Sequence, residues 1–407
     1  MKEFLKTISY SEYEKLLENL NLKRDSILVR SEVSANFIAA ENIRATEEIP
    51  GFFRSTVDGY AVKYENTQGS TPSVPTMLKL IGEIKMGELP DFRLNDGEAA
   101  KISTGGALPE GADAVVMQED TEEMGEWVEI YKSLGFGENT VKKDEDYALD
   151  DIIVRKGDVL SASKIQALLS SGIYEIPVFK KLRIAVISTG DEIIDYKITK
   201  RGKGKIRDTN SYLISEYLRK IGEEVTFLGI SKDSREELKS FVDKNINNFD
   251  LFLISGGSSM GARDITIDVL SDYSEILFHG IRVYPGKPLI FGKGDDKVFV
   301  GLPGHPVSSF VSIFTIVYPL LFLWEGTKDF KIKLSGYLKI DKNISKKVGR
   351  ESFVLVKKYE KNGEFFANPL FGESGLISLI AEATGFVRIS ENREGAYAGE
   401  ELLYYEF

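Results

Sequence analysis

Four short runs rich in apolar residues constrain this chain more than any other feature. Each stops in a polar loop, and helical spacing follows. Leu182-Arg183-Ile184-Ala185-Val186-Ile187-Ser188 ends in Thr189-Gly190-Asp191-Glu192, and Val225–Leu228 precedes a helix opened by Ser234 and Glu237. Leu251–Ile254 ends in Ser255-Gly256-Gly257-Ser258-Ser259-Met260-Gly261, and Val298–Val300 ends in Gly301-Leu302-Pro303-Gly304-His305-Pro306. Runs without apolar–polar alternation suit strands buried on both faces, as in a parallel sheet covered by helices. The helices between them fit: Leu213, Ile214, Tyr217, Leu218 and Ile221 form one stripe, with Thr209 or Asn210 as its N-cap. In such a sheet the loops at the carboxyl ends of the strands converge on one crevice.

Those loops carry chemistry. Glycine admits close approach of a ligand to the backbone and offers N–H groups to an anion. Ser255, Ser258 and Ser259 add hydroxyls, and Asp264 closes the turn as a carboxylate able to meet a hydroxyl or a hard cation. Asp191 and Glu192 add further hard oxygens, and Lys287 in Pro285-Gly286-Lys287-Pro288 adds a point charge. Pro306 suits the first turn of a helix whose leading N–H groups face an anion. Mg²⁺ takes a few carboxylates together with water and phosphate oxygens. Taken singly, each loop is equally an ordinary glycine connection. Together they imply an anion pocket with a hard-cation site, for a phosphate-bearing or nucleotide-like ligand. The phosphate-loop pattern G-x-x-x-x-G-K-[ST] and a G-x-G-x-x-G after a strand are both absent, which argues against an ATPase of that class and an NAD enzyme.

Composition narrows the chemistry. The chain has no cysteine and two histidines, His279 and His305, so disulfides, thiolate sites and a histidine-rich zinc site are excluded. Acid, base and metal-ligand work falls to carboxylates. A net charge of −11 argues against nucleic acid as partner. The longest apolar stretch, Val307 to Trp324, is interrupted by Ser308, Ser309, Ser312, Thr315 and Pro319, so no membrane span is expected. With no signal-peptide pattern at the amino end, the expected location is cytoplasmic.

The remainder divides by style. Residues 9–22 read as an amphipathic helix capped by Ser11 and Glu14. Leu78 to about Ile130 is β-rich and contains Ser103-Thr104-Gly105-Gly106, while Asp58-Gly59 marks a turn before Tyr60-Ala61-Val62. Residues 139–160 form a charged crossing, and Lys197–Lys205 is a basic loop. After Thr327 alternating stretches and an Asn362-Gly363 turn indicate a small β domain.

Read together, Asp58-Gly59-Tyr60-Ala61-Val62, Ser103–Val116, Ser188-Thr189-Gly190-Asp191-Glu192, Asp208-Thr209-Asn210, Ser255–Gly261, Pro285-Gly286-Lys287-Pro288 and Gly301–Ser308 make the chain resemble the molybdopterin molybdenumtransferase family, the MoeA proteins and the gephyrin E domain. The resemblance spans essentially the whole chain. It implies an α/β and β multidomain protein: an elongated linking domain (1–47 and 139–178), a β-rich domain (48–138), a central MogA-like parallel α/β domain (179–327) and a C-terminal small β-barrel domain (328–407). The N-terminal helix would pack on the α/β domain. The resemblance also implies a homodimer that inserts molybdate into adenylylated molybdopterin with Mg²⁺-dependent release of AMP. A MogA-like adenylyltransferase and molybdoenzyme acceptors would be its partners. Asp58, Thr104, Glu192, Asp264 and Lys287 would be the catalytic set, with Asp58 and Thr104 reaching over from the partner protomer. Asp191, Glu192, Asp233 and Asp264 would bind the metal. Ser188, Asp208, Asn210, Ser255, Gly256, Gly257, Ser258, Gly261, Pro303, Gly304, Pro306, Ser308 and Arg350 would contact pterin and phosphate.

Three amines usual in the family are missing, at Ile267, Gly280 and Tyr284, and His305 stands where asparagine is usual. Arg282, His279 and the basic 197–205 loop are the nearest compensating candidates. The alternatives are a paralogue that is non-catalytic or tungstate-selective and binds the pterin or a partner enzyme, and an adenylyltransferase.

Overall fold

The computed structural model describes residues 7–200, 202–256, 260–327 and 334–407. Its centre is a six-stranded sheet in the order Glu224–Ser231, Arg183–Thr189, Leu251–Gly256, Val298–Leu302, Ile290–Lys293, Glu275–His279. The first four strands are parallel, as the apolar runs require. The last two are an antiparallel extension that the apolar runs do not announce. Alternate residues feed two cores. Ile184, Val186, Leu251 and Leu253 face one side, with Ile214, Leu218 and Phe310. Ala185, Ile187, Phe252 and Ile254 face the other, with Leu238, Val242 and Val269.

The helix over Pro306–Glu325 is by length and composition able to cross a membrane, where the sequence reading takes its hydroxyls and Pro319 as interruptions; 83% of an 18-residue apolar window in it is buried inside the fold. Two of its hydroxyls bond back to the helix: Ser312 Oγ donates to Ser308 O (2.8 Å) and Thr315 Oγ1 to Val311 O (2.9 Å). A π-turn spans Ile313–Val317. Pro319 lacks the N–H that would have bonded the carbonyl of Thr315. Tyr10 Oη donates to that carbonyl (3.3 Å), and Tyr13 Oη donates to Ile316 O (2.7 Å). Both tyrosines sit on the buried face of the helix Tyr10–Glu18, with Leu17. Its cap is Ser9 with Glu12, two residues earlier than Ser11 and Glu14, since the buried Tyr10 must fall inside the first turn.

The chain then leaves this domain and returns. Ser26–Arg30 pairs with Glu175–Phe179, and Ile43–Arg44 with Ile152–Val154, around a core of Ala39, Ile43, Leu160, Leu168, Ile176 and Val178. Between these pairings lies a six-stranded sheet ordered Ala114–Met117, Gly59–Val62, Glu98–Ile102, Thr76–Ile84, Trp127–Ile130, Thr121–Met124. The C-terminal strands close on themselves. Glu351–Lys361 pairs with Glu364–Pro369, then Gly336–Ile340, Glu401–Glu406 and Gly385–Ile389 follow, and the last pairs back to Glu351–Lys361. Asn362 and Gly363 both have positive φ, as a tight primed hairpin needs. A short helix spans Ile377–Glu382.

One buried ionic group joins the outward and return segments to the central domain. Lys181 Nζ lies 3.3 Å from Glu325 Oε1 and 3.7 Å from Glu223 Oε1, under the Phe37 ring. Among the described residues neither Glu223 oxygen has a hydrogen-bond partner. Burial, and then the Glu325 carboxylate, push the Glu223 carboxyl from the ordinary 4.5 up to about 9. A carboxyl raised on folding contributes stability that is fully present below the unfolded value and is lost as pH climbs through the folded one. Glu223→Gln removes this titration, so its melting temperature relative to the parent should rise steadily from about pH 5 to about pH 9. A pH-independent difference in calorimetric scans would contradict this.

Candidate functional site

The sheet order reverses between Arg183–Thr189 and Leu251–Gly256: from the first the chain goes on to Glu224–Ser231 at one edge, and from the second to the three strands on the other side. At that switch point a cleft of about 280 Å³ opens at the carboxyl ends of the strands. Ser188, Thr189, Glu192, Asp208, Asn210, Ser255, Gly256, Gly304, His305 and Pro306 line it. Gly256 has φ +144°, and a Cβ there would stand 2.1 Å from Thr189 O, so only glycine lets these two strand ends meet.

The floor is a hydrogen-bonded set. Asp208 is buried; its Oδ2 accepts from Ser188 Oγ and Ser211 Oγ, both at 2.6 Å, and its Oδ1 accepts from the Ser211 backbone N–H (3.1 Å). Asp208 therefore does the capping that the sequence reading gave to Thr209 or Asn210; Thr209 is the N-cap by position but makes no side-chain bond. This frees Asn210 for the cleft. Its Nδ2 donates to Gly304 O (2.9 Å) and Ser255 Oγ (3.3 Å), tying the loop before the long helix to the neighbouring strand end. The first residue of the helix Pro306–Glu325 lines the cleft, so the positive end of the helix dipole lies at its wall.

Acidic groups gather at the rim. Asp191 and Glu192 are exposed. Asp233 accepts from Thr189 Oγ1 (3.0 Å), and its backbone N–H donates to Asp191 Oδ1 (3.3 Å). Among the described residues no three carboxylate or imidazole groups form a ready metal cage. Asp264 is exposed on the helix Met260–Ser271, whose first turn contains Gly261; Gly257 and Ser258 lie outside the described residues.

Three family models cover nearly all of the chain: the MoeA N-terminal region (domain I and II) at residues 8–172, a probable molybdopterin binding domain at 185–322, and the MoeA C-terminal region (domain IV) at 337–407. The chain belongs to the MoeA family. That membership places it in molybdenum cofactor biosynthesis. A putative molybdopterin biosynthesis protein of Methanocaldococcus jannaschii is 32% identical over 97% of this chain and 96% of its own length. A molybdopterin molybdenumtransferase of Haemophilus influenzae is 30% identical, with the same shares covered. The crystal structure of a molybdopterin biosynthesis MoeA protein from Pyrococcus horikoshii superposes with a TM-score of 0.82 at 34% identity, covering 98% of this chain and 99% of that one.

In this MoeA chain the remaining candidates fall into two further places. Asp58 precedes Gly59–Val62 and Thr104 follows Glu98–Ile102, and those strands pair Gly59 with Ile102, so the two residues meet at one sheet end. Thr104 donates to Asp58 Oδ1 from both its backbone N–H (2.7 Å) and its Oγ1 (3.2 Å). Both are exposed, and neither lines the cleft of its own chain. Lys287 is exposed, and the Arg350 guanidinium lies 5.8 Å from the Tyr284 ring centre. Pro303 and Ser308 are buried behind the cleft loop. Sequence reasoning missed Arg207, Ile193, Ile206, Gly375 and Ile377, all of which line the cleft. Arg207 stood next to a chosen residue. Gly375 and Ile377 come from another domain, and no local signal pointed to them.

Asp208→Ala strands the Ser188 and Ser211 hydroxyls and an N–H group. It should lower unfolding free energy by about 2–3 kcal/mol in urea titrations; a change under about 0.5 kcal/mol would mean that the Asp208 bonds contribute nothing net.

Proposed function

We propose that the protein inserts molybdate into adenylylated molybdopterin with release of AMP. The observation that carries this reading is the cleft at the switch point. Hydroxyls, the Asn210 amide and the start of the long helix face one space, with Glu192 on its rim. Such donors suit a phosphate, and the carboxylate suits a hard cation beside it. The relatives named above carry the pterin and the metal into the reading.

Within it, Ser188 and Asn210 hold the floor in place, the Ser255 hydroxyl, which accepts from Asn210 and keeps its own proton, faces the phosphate end, and Lys287 and Arg350 draw an oxyanion towards the open side. Asp191 and Asp233, joined through the Asp233 backbone N–H, or Glu192 beside Asp191 in the chain, would supply the one or two carboxylates that Mg²⁺ usually takes together with water and phosphate. When bound, Mg²⁺ would offset phosphate charge. The cleft, at about 280 Å³, is smaller than a ligand with two heterocycles would need. This supports a site completed by Asp58 and Thr104 of a second copy in a homodimer.

A second reading, a non-catalytic or tungstate-selective paralogue, draws on the missing amines. Ile267 packs against the second core. Gly280 has φ +109°, a conformation unfavourable for lysine. At Tyr284 a ring stands under Arg350 in place of an amine.

Purified protein given adenylylated molybdopterin and Mg²⁺ should release AMP when molybdate is added, and not without an oxyanion. Release with tungstate alone would favour the second reading, and no release with either would end the enzymatic one. For the shared site, Asp58→Ala and Glu192→Gln proteins should each be inactive. Refolded together, they should recover roughly a quarter of the activity, because half the dimers are mixed and one of their two sites is intact. No recovery would place both residues in one protomer's site.

A further inference from the structure

The polar floor of the cleft has an account; its apolar lining does not. Ile193, Ile206 and Ile377 line the same space as Ser188, Asp208 and Ser255. Ile206 and Ile377 are each 55% exposed, in a site otherwise built largely from hydroxyls, amides and charged groups. They come from different parts of the fold. Ile206 lies on the two-residue strand Ile206–Arg207, held by parallel pairing to Ile193–Ile194. Ile377 opens the short helix Ile377–Glu382 of the C-terminal domain. Its approach is fastened to the cleft loop at two points. His305 Nδ1 and Ser374 Oγ are 2.9 Å apart, and the Val307 backbone N–H donates to Ser374 O (3.0 Å).

We propose that Ile206 and Ile377 are the apolar walls that take the faces of a planar heterocyclic ring of the ligand, and that the Ser374–His305 hydrogen bond is the contact that positions Ile377 there. The inference deepens the phosphate-bearing, ring-bearing ligand of the proposed function and rests on that reading. A heterocycle carries its polar atoms on its edge and leaves two apolar faces. Aliphatic side chains cover such faces without requiring hydrogen bonds, while the floor satisfies the phosphate. The C-terminal domain thereby becomes part of the binding site, with Ser374 as a positioning residue.

Calorimetric titration with two probes tests this: AMP, which has a ring, and ribose 5-phosphate, which does not. Ile377→Ser should weaken AMP about tenfold, as expected for losing one buried aliphatic contact, and leave ribose 5-phosphate unchanged. Ser374→Ala should weaken AMP alone by a smaller factor, and Ser374→Thr, which keeps the hydroxyl, should restore it. Ile377 is exposed, so its substitution leaves the fold intact, and a melting curve checks that. Equal loss for both probes, or undiminished AMP binding, overturns this inference alone. Parent protein that binds neither probe overturns it together with the reading beneath it.

Discussion

A parallel strand cannot reach its neighbour through a tight turn. The chain must cross a face of the sheet and return to the same end. Nearly everything in the central domain follows from that constraint. The crossings put Leu218 and Phe310 on one face and Leu238 and Val242 on the other, so the strands between them are apolar on both sides. Their carboxyl ends lie together, and the reversal between Arg183–Thr189 and Leu251–Gly256 parts the loops there. The cleft is what this topology leaves open. Its residues are polar because backbone ending at a crevice must find partners, and Asp208, Asn210 and Gly256 each answer that need in a different way.

The sequence was most legible where the physics is local. Unalternating apolar runs announced the parallel strands, and glycine–serine loops marked their ends. Asn362-Gly363 gave a hairpin. Where two local patterns were equally good, only burial decided between them. Ser9 with Glu12 and Ser11 with Glu14 read alike as capping pairs, until Tyr10 is known to be buried against Phe353. Non-local pairing was the least legible. The antiparallel edge Glu275–His279 with Ile290–Lys293 shifts register at a bulge, which breaks the period that would betray it. The residues of the cleft that sequence reasoning named lie on the ends of strands, in the loops after them or at the first residue of the next helix. Ile377 entered from a separate domain, through contacts that no spacing in the sequence encodes.

Asp208 shows how a carboxylate can look functional in sequence and have a different first task. Its two oxygens already accept from three donors, and Ser188 is held in place by one of them. Asn210, two residues on, is the side chain released to act across the cleft. Asp58 and Thr104 show the converse. Their mutual bonds leave both exposed, at a sheet end outside their own chain's cleft.

The tyrosine hydroxyls on the core helix carry a consequence in time. Tyr13 and its partner carbonyl at Ile316 are 303 residues apart. A ribosome adding about 5–20 residues per second separates their appearance by roughly 15–60 s. Throughout that interval the amino-terminal helix has emerged with its apolar stripe uncovered. The inserted sheet and the pairings that flank it are complete in sequence long before the core helix exists to receive Tyr10 and Tyr13. The first segment made is thus among the last to find its place, and Tyr10 waits for the carbonyl freed by Pro319, which leaves the ribosome 305 residues later.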